Sequence, residues 1–315
     1  MLLCAAAGTA DACTAAYVGR EASSDGVPVI ARCADTNPPT TSVYLRITPE
    51  GHSRTVTAYL CEEALKADPY VADGISEDNI AGILAASCPT ARSAALYLAH
   101  IIDEKGSAES NVVMMLDQKE AWYMEIYGGH QYAAVKMPAD AVAVLGNEFM
   151  LESLEPFGGD VICSKELIAL PEREGFLRRN AKGEPELFAT YSGEGRLADY
   201  ANMRTWRGHQ LLSPATAGKY ETHRKYPLFF RPDSKVTTDE LMALFRDRME
   251  GVVSDEELAL GKTRIIGTET ASQVHLLRVH PELPSFMAVE EWLCFSNAAA
   301  GKVYIPLDEA ERVFR

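Results

Sequence analysis

A chain of 315 residues, 47% hydrophobic and 24% charged, has the make-up of an ordinary soluble globular protein, long enough for one large domain or two average ones. Its formal net charge of −15 opposes the phosphates of nucleic acid, which call for clustered lysine and arginine, and nucleic acid is excluded as a partner. Beyond residue 12 no apolar run has the length to span a bilayer, so no membrane span is expected there.

The chain opens on a short apolar run, Met1-Leu2-Leu3-Cys4-Ala5-Ala6-Ala7-Gly8, that leads through Ala10-Asp11-Ala12 to Cys13. Small-x-small suits signal peptidase, although the run is shorter than the usual leader and no Lys or Arg precedes it. Residues 1–12 are therefore expected to be a leader or propeptide that is removed, leaving 13–315 as a single domain. Removal by signal peptidase implies export, extracellular or periplasmic, and this is the favoured reading. Autocatalytic removal of a propeptide leaves the protein cytoplasmic. The structural alternative is a frayed terminus before an inert cysteine.

Residues 13–19 and 27–33 read as strands joined by the turn Ser23-Ser24-Asp25-Gly26, a hairpin that returns Arg32 and Asp35 toward Cys13. A loop at 36–41 carries Pro38-Pro39, and a strand is expected at 43–48. Helices are expected at 77–87 and 89–104; in the second, Ala91, Ala94, Ala95, Leu98 and Ile102 fall on one face. From 111 to 147 the pattern turns to an antiparallel meander, with strands at 112–116, 122–127, 131–136 and 141–145. Thr237 and Glu240 form a capping box ahead of Leu241, Leu244, Phe245 and Met249. Strands return at 263–267, 273–279 and 286–296. Helical segments alternating with antiparallel blocks make the fold class α+β.

Freed at Cys13, the chain would begin with a thiol and an α-amine on one residue. The amine, with an ordinary pKa near roughly 7.7–8.0, can take the thiol proton near neutral pH. An internal amide cannot, so one cleavage would arm this nucleophile. The cysteines at 4, 13, 33, 61, 88, 163 and 294 make no C-x-x-C pair, and the histidines make no H-E-x-x-H. Neither a metal nor another cofactor is expected, and most cysteines read as buried apolar residues.

Several blocks, weak singly but specific in their order, carry a resemblance. Cys13-Thr14, Arg32-x-x-Asp35, Ala67-Asp68-Pro69-Tyr70-Val71 and Gly74-Ile75-Ser76-Glu77-Asp78-Asn79-Ile80 come first. Trp122-Tyr123-Met124-Glu125-Ile126 and Gly129-His130-Gln131-Tyr132-Ala133-Ala134 follow, then Tyr226-Pro227-Leu228-x-x-Arg231-Pro232, Gly267-Thr268-Glu269-Thr270 and Val274-His275. From Cys13 to the C-terminus, with a break near 36–58, the chain resembles the dipeptidase A family of cysteine N-terminal nucleophile hydrolases, relatives of choloylglycine hydrolases and penicillin acylases.

The resemblance implies a four-layer αββα sandwich with the nucleophile on the first strand of a central sheet. It also implies hydrolysis of dipeptides with broad side-chain tolerance, no metal, and a tendency toward homo-oligomers. Cys13 would attack through its thiolate with its own amine as base. Asp35 would hold that amine, and Arg32 would bias the thiol toward its anion. Asn147 matches the family's oxyanion-stabilising asparagine, and Arg204 its distal arginine, with Arg207 close enough to compete. Relative to the family, the stretch after the R-x-x-D pair is short, only Pro38 to Leu65, without the expected glycine-asparagine turn. The chain also stops soon after Tyr304-Ile305-Pro306-Leu307.

Each assignment has a plainer counterpart. Arg32 and Asp35 could form a surface pair, Asn147 could end a strand, and Arg204 could lie on a solvated helix face. His130 and His275 read as core or loop hydrogen-bonding residues, and Trp122, Tyr123 and Trp206 as packing residues. In place of a dipeptide, the substrate could be another small amide, an N-acyl amino acid or a bile-acid conjugate. A non-catalytic scaffold is the third reading.

Overall fold

A computed structural model describes residues 13–35, 41–47, 53–59, 88–107, 110–193, 197–260, 263–284, 288–295, 298–300 and 303–306. The expected leader, the helix at 77–87 and the blocks at 67–71 and 74–80 lie outside the described residues. In chain order the strands are β1 (Thr14–Val18), β2 (Val29–Asp35), β3 (Thr41–Ile47), β4 (Ser53–Tyr59), β5 (Asn111–Leu116), β6 (Ala121–Gly128), β7 (Gln131–Lys136), β8 (Val142–Leu145), β9 (Val161–Cys163), β10 (Ala271–Val279), β11 (Val289–Phe295) and β12 (Ile305–Pro306). The helices are α1 (Ala91–Lys105), α2 (Ala169–Arg173), α3 (Leu187–Tyr191), α4 (Asp199–Leu212), α5 (Pro214–Ala217), α6 (Thr238–Leu244) and α7 (Asp255–Ala259). Helices and antiparallel sheets make the fold α+β.

The described residues group into two compact units interleaved along the chain. One draws on the stretches within 1–40, 138–148 and 195–315, the other on those within 41–137 and 149–194.

The first unit holds a six-stranded sheet in the order β12-β11-β10-β2-β1-β8. The β1–β2 hairpin pairs Thr14 with Cys33 and Ala15 with Arg32, while β8 takes the other edge of β1 through Ala15 opposite Leu145. Because side chains alternate along a strand, Ala16, Val18, Ala31, Cys33, Val142, Val144, Val274 and Leu276 share one face. They form the core with Leu212 of α4 and with Leu241, Leu244, Phe245 and Met249. Each of the valines, leucines, Phe245 and Met249 taken fully out of water contributes roughly 1.5–3 kcal/mol.

The capping box predicted at Thr237 is present: Glu240 N–H donates to the Thr237 hydroxyl at 3.1 Å, and the Glu240 carboxylate accepts from the Thr237 N–H at 2.8 Å. The helix ends at Leu244, yet Phe245 and Met249 stay buried beyond it. Where a strand was expected at 263–267 the backbone is irregular. Ile265 and Ile266 are buried from a loop, and Gly267 N–H donates to the Asp247 carbonyl at 2.8 Å. The apolar signal there was core burial and not strand pairing.

Helix α4 crosses β8 with almost no space between them. A Cβ built at Gly208 would stand 2.3 Å from Val144 Cβ, so Gly208→Ala must push the helix off the sheet. Thermal or denaturant unfolding of this variant should register a loss of about 1–3 kcal/mol. A change within experimental error would mean that the helix is free to shift.

In the second unit β3 pairs with β4 as a hairpin, and a four-stranded sheet runs β5-β6-β7-β9. Only the first three strands of the expected meander belong to it. After β7 the chain reaches Pro138, which has no N–H to donate, and β8 pairs instead with β1. The free edge of β7 is taken by β9, with Ala133 opposite Cys163. Helix α1 packs on this sheet by the expected face: Ala91, Ala94, Ala95, Leu98 and Ile102 are buried against Trp122, Met124 and Ile126. It starts at a Thr90–Ser93 capping box and ends at Gly106, whose φ of 75° suits glycine.

Glu125 of β6 is wholly buried but well supplied with donors: the hydroxyls of Tyr123 (2.6 Å) and Tyr127 (2.9 Å) and the N–H groups of Met150 and Leu151. The described cysteines, 13, 33, 88, 163 and 294, are free thiols. Only Cys33 and Cys294 are fully buried, and Cys163 is exposed, so the expectation of mostly buried cysteines holds for fewer than assumed. Among the described residues no helix is long and apolar enough to cross a membrane.

Candidate active site

Cys13 immediately precedes β1, which lies between β2 and β8. Continuing the β1–β8 register by two residues sets Asn147 opposite Cys13; on the other side the β1–β2 register sets Ala34 there. Cys13 is half-buried, and Arg32 donates from Nη2 to its Sγ at 3.1 Å. The two side chains meet because Ala15 is paired with Arg32, which puts Cys13 and Arg32 on the same face.

Arg204, on α4, is the hub of the cluster. It has no exposed surface, and burial pulls its pKa down against the opposing charge of Asp35. Its Nη1 donates to the Cys13 carbonyl at 2.7 Å and to the Thr14 hydroxyl at 2.9 Å. Its Nη2 donates to Asn147 Oδ1 at 2.8 Å, and its Nε donates to the Tyr200 carbonyl at 3.1 Å. A guanidinium only donates, so the oxygen of the Asn147 amide is turned to Arg204 and its NH2 remains a donor. Arg207 is not part of this group; it makes a two-point pair with Asp247 at 2.7 and 2.8 Å.

Asp35 ends β2, wholly buried, and neither carboxylate oxygen accepts from a nitrogen or oxygen donor among the described residues. Burial pushes its pKa up to about 6, against the lowering pull of Arg204, the Cys33 thiol, Arg264 and Arg32. Cys33 accepts the Thr14 N–H at 3.1 Å. Burial and the nearby Asp35 push its thiol up, which leaves it protonated and inert. Glu148, next to Asn147, is raised by burial to about 7; its Oε1 accepts from the Thr205 hydroxyl at 3.4 Å.

His275 stands opposite Arg32 in the β2–β10 register. Burial and the Arg32 charge lower its pKa to about 4, so it is neutral. In the second unit His130 Nδ1 lies 2.7 Å from the Ile102 carbonyl, Trp122 is core, and Tyr123 serves Glu125. Trp206 donates to the Gly218 carbonyl at 3.2 Å.

The structure therefore brings Cys13, Arg32, Asp35, Asn147 and Arg204 into one cluster of charges and hydrogen bonds. Sequence reasoning missed Thr14, Cys33, Glu148, Tyr200 and Arg264. Arg264 was within reach of a signal, since its partner Thr270 belongs to the Gly267–Thr270 block, which carried no assigned role.

Residues 47–310 match the family described as Peptidase family C69. A "Probable dipeptidase" of Salmonella dublin is 29% identical over 271 residues, 84% of this chain and 62% of that protein. A "Probable dipeptidase B" of Streptococcus pyogenes serotype M1 is 28% identical over 260 residues, 78% of this chain and 52% of that protein. Another "Probable dipeptidase B", from Streptococcus pyogenes serotype M6 (strain ATCC BAA-946 / MGAS10394), is 32% identical over 200 residues, 64% of this chain and 40% of that protein. The chain belongs to peptidase family C69. It spans between two-fifths and about three-fifths of the length of these relatives, and the matched family segment begins after Cys13, Arg32 and Asp35.

Proposed function

We propose that the protein is a cysteine dipeptidase of broad specificity whose working form begins at Cys13. The observation that carries this reading is the convergence on one residue of Arg32 at the sulfur and Arg204 at the carbonyl, with Asn147 bound to the same Arg204. In this scheme the Cys13 α-amine takes the thiol proton and the thiolate attacks the dipeptide carbonyl. A C–S bond forms, and the developing oxyanion is received by the free NH2 of Asn147. Collapse breaks the C–N bond, and the ammonium returns its proton to the departing amino acid. Water, deprotonated by the freed amine, then hydrolyses the thioester and restores the thiol. Asp35 stabilises the ammonium form of the base, and Arg32 stabilises the thiolate.

The names of the relatives support a dipeptide as substrate. The reading includes a four-layer αββα arrangement of the N-terminal nucleophile type. It also includes export with loss of residues 1–12, and homo-oligomerisation.

Mass mapping of the purified protein's N-terminus, paired with a substrate panel, tests it. The expected result is a chain starting at Cys13 that cleaves dipeptides in preference to N-acyl amino acids and bile-acid conjugates, and that is silenced by alkylation of Cys13. A protein that retains its first twelve residues and still cleaves dipeptides at full rate would falsify the scheme.

A further inference from the structure

Asp35 poses a problem that the catalytic scheme leaves open. It is fully buried, no nitrogen or oxygen of the described residues donates to it, only the Cys33 thiol acts on it as a donor, and yet it must be a carboxylate to hold an ammonium. The groups that act on it come from every element nearby: Arg32 and Cys33 from β2 itself, Arg204 from α4, and Arg264 from the loop before β10. Cys13, at the start of β1, acts on Cys33.

Most of these are engaged elsewhere. Arg204 spends its nitrogens on Cys13, Thr14, Asn147 and the Tyr200 carbonyl, and Arg32 reaches the sulfur. Arg264 is arranged differently: its Nε faces Asp35 Oδ2 at 4.0 Å, while its two outer nitrogens are fastened away from the carboxylate. Nη2 donates to the Thr270 hydroxyl at 2.7 Å, and Nη1 lies 3.5 Å from the Tyr200 hydroxyl. The Thr270 hydroxyl is in turn 3.1 Å from that of Thr268. The turn that carries both threonines is fixed by Gly267, where a Cβ would meet the Arg246 backbone at 2.8 Å. Arg204 and Arg264 also both lie over the ring of Tyr200, 5.5 and 5.9 Å from its centroid, and its electron-rich face tempers their mutual repulsion.

We propose that Arg264 is a positioning residue that keeps Asp35 a carboxylate, clamped in place by Thr270 and Tyr200. This role rests on the dipeptidase reading above for its kinetic consequence but not for its electrostatics. It gives the Gly267-Thr268-Glu269-Thr270 block a purpose: the block is the shelf for this cation.

The test is the pH profile of kcat/KM on a cleaved dipeptide for the wild type, Arg264→Gln and Arg264→Lys. Losing the charge should move the acid limb of Arg264→Gln upward by about one pH unit, the scale of a neighbouring opposite charge. Arg264→Lys should keep the wild-type limb even if its rate falls. A uniform loss across all pH with the limb unmoved, or a lysine variant shifted as far as the glutamine variant, overturns the role. Should Arg264→Gln fail to fold by circular dichroism, Thr270→Val replaces it. A smaller shift in the same direction supports the role, and no shift overturns it. Titration of the Asp35 carboxyl by 13C NMR in a Cys13→Ala background, with and without the Arg264 change, reads the same electrostatics without turnover. An inactive wild type would thus sink the dipeptidase reading while this second measurement still decides the role of Arg264.

Discussion

Cys13→Ala is expected to lower kcat/KM for dipeptide cleavage by at least about three orders of magnitude, as removal of a covalent nucleophile does elsewhere. The loss should fall on chemistry and leave folding intact. Cys13 sits at the margin of β1, half-buried, and its backbone carbonyl would still accept from Arg204. The melting temperature should therefore stay close to that of the wild type. Cys13→Ser sharpens the test, because it keeps the size of the side chain and removes the acidity. A guanidinium at the Arg32 distance can bias a thiol toward its anion but cannot ionise an alcohol, so serine should be nearly as inactive as alanine. Steady-state kinetics with thermal unfolding on the same samples separates the two effects. An alanine variant that kept a tenth of the activity would end the case for Cys13 as the nucleophile.

The largest stability effect should come from Arg204→Met. Methionine fills much of the volume but supplies no donor, which strips hydrogen bonds from the Cys13 carbonyl, the Thr14 hydroxyl and Asn147 Oδ1. It also removes the cation that acts most strongly on Asp35. Deleting one partner of a buried charge network costs about 3–5 kcal/mol, because the remaining charge is left uncompensated. Denaturant unfolding should show that loss. The double variant Arg204→Met/Asp35→Asn should recover part of it, since no orphaned carboxylate remains. A loss below about 1 kcal/mol would mean that the network is solvated and is not a buried hub.

Much of this architecture was legible because its elements obey simple periods. The β1–β2 hairpin shows as two short apolar runs around a polar turn, and α1 repeats its apolar residues at helical spacing, so both were read within a few residues of their bounds. Helix α4 gave no such signal. Its buried face contains Asn202, Arg204, Thr205, Gly208 and His209, residues whose type suggests solvent. The polar make-up of that buried face is what hid it. The fate of β8 was likewise not local: nothing in Val142–Leu145 says that its partner is β1 and not β7, since pairing across the chain is decided by the other strands. At the site, the hairpin spacing brought Arg32 and Asp35 toward Cys13, while their roles, and Asn147 and Arg204 altogether, came through resemblance to a family. Arg264 lay outside any recognised pattern, because its role is defined by a contact with a residue 229 positions earlier.

That distance has a consequence for how the protein comes into being. The cysteine strand is made before its partners: its sheet needs β8 for one flank, and β2 needs β10, whose residues lie far along the chain from those of β2. Closing such long loops is entropically slow, and the early hairpin alone is too small to persist. Arg204 and Arg264 likewise arrive late. Arg32 can reach the sulfur once the hairpin exists, whereas the Cys13 carbonyl and Asp35 must wait for Arg204 and Arg264, so a nascent chain short of α4 and of the loop before β10 carries its thiol in an unfinished cluster.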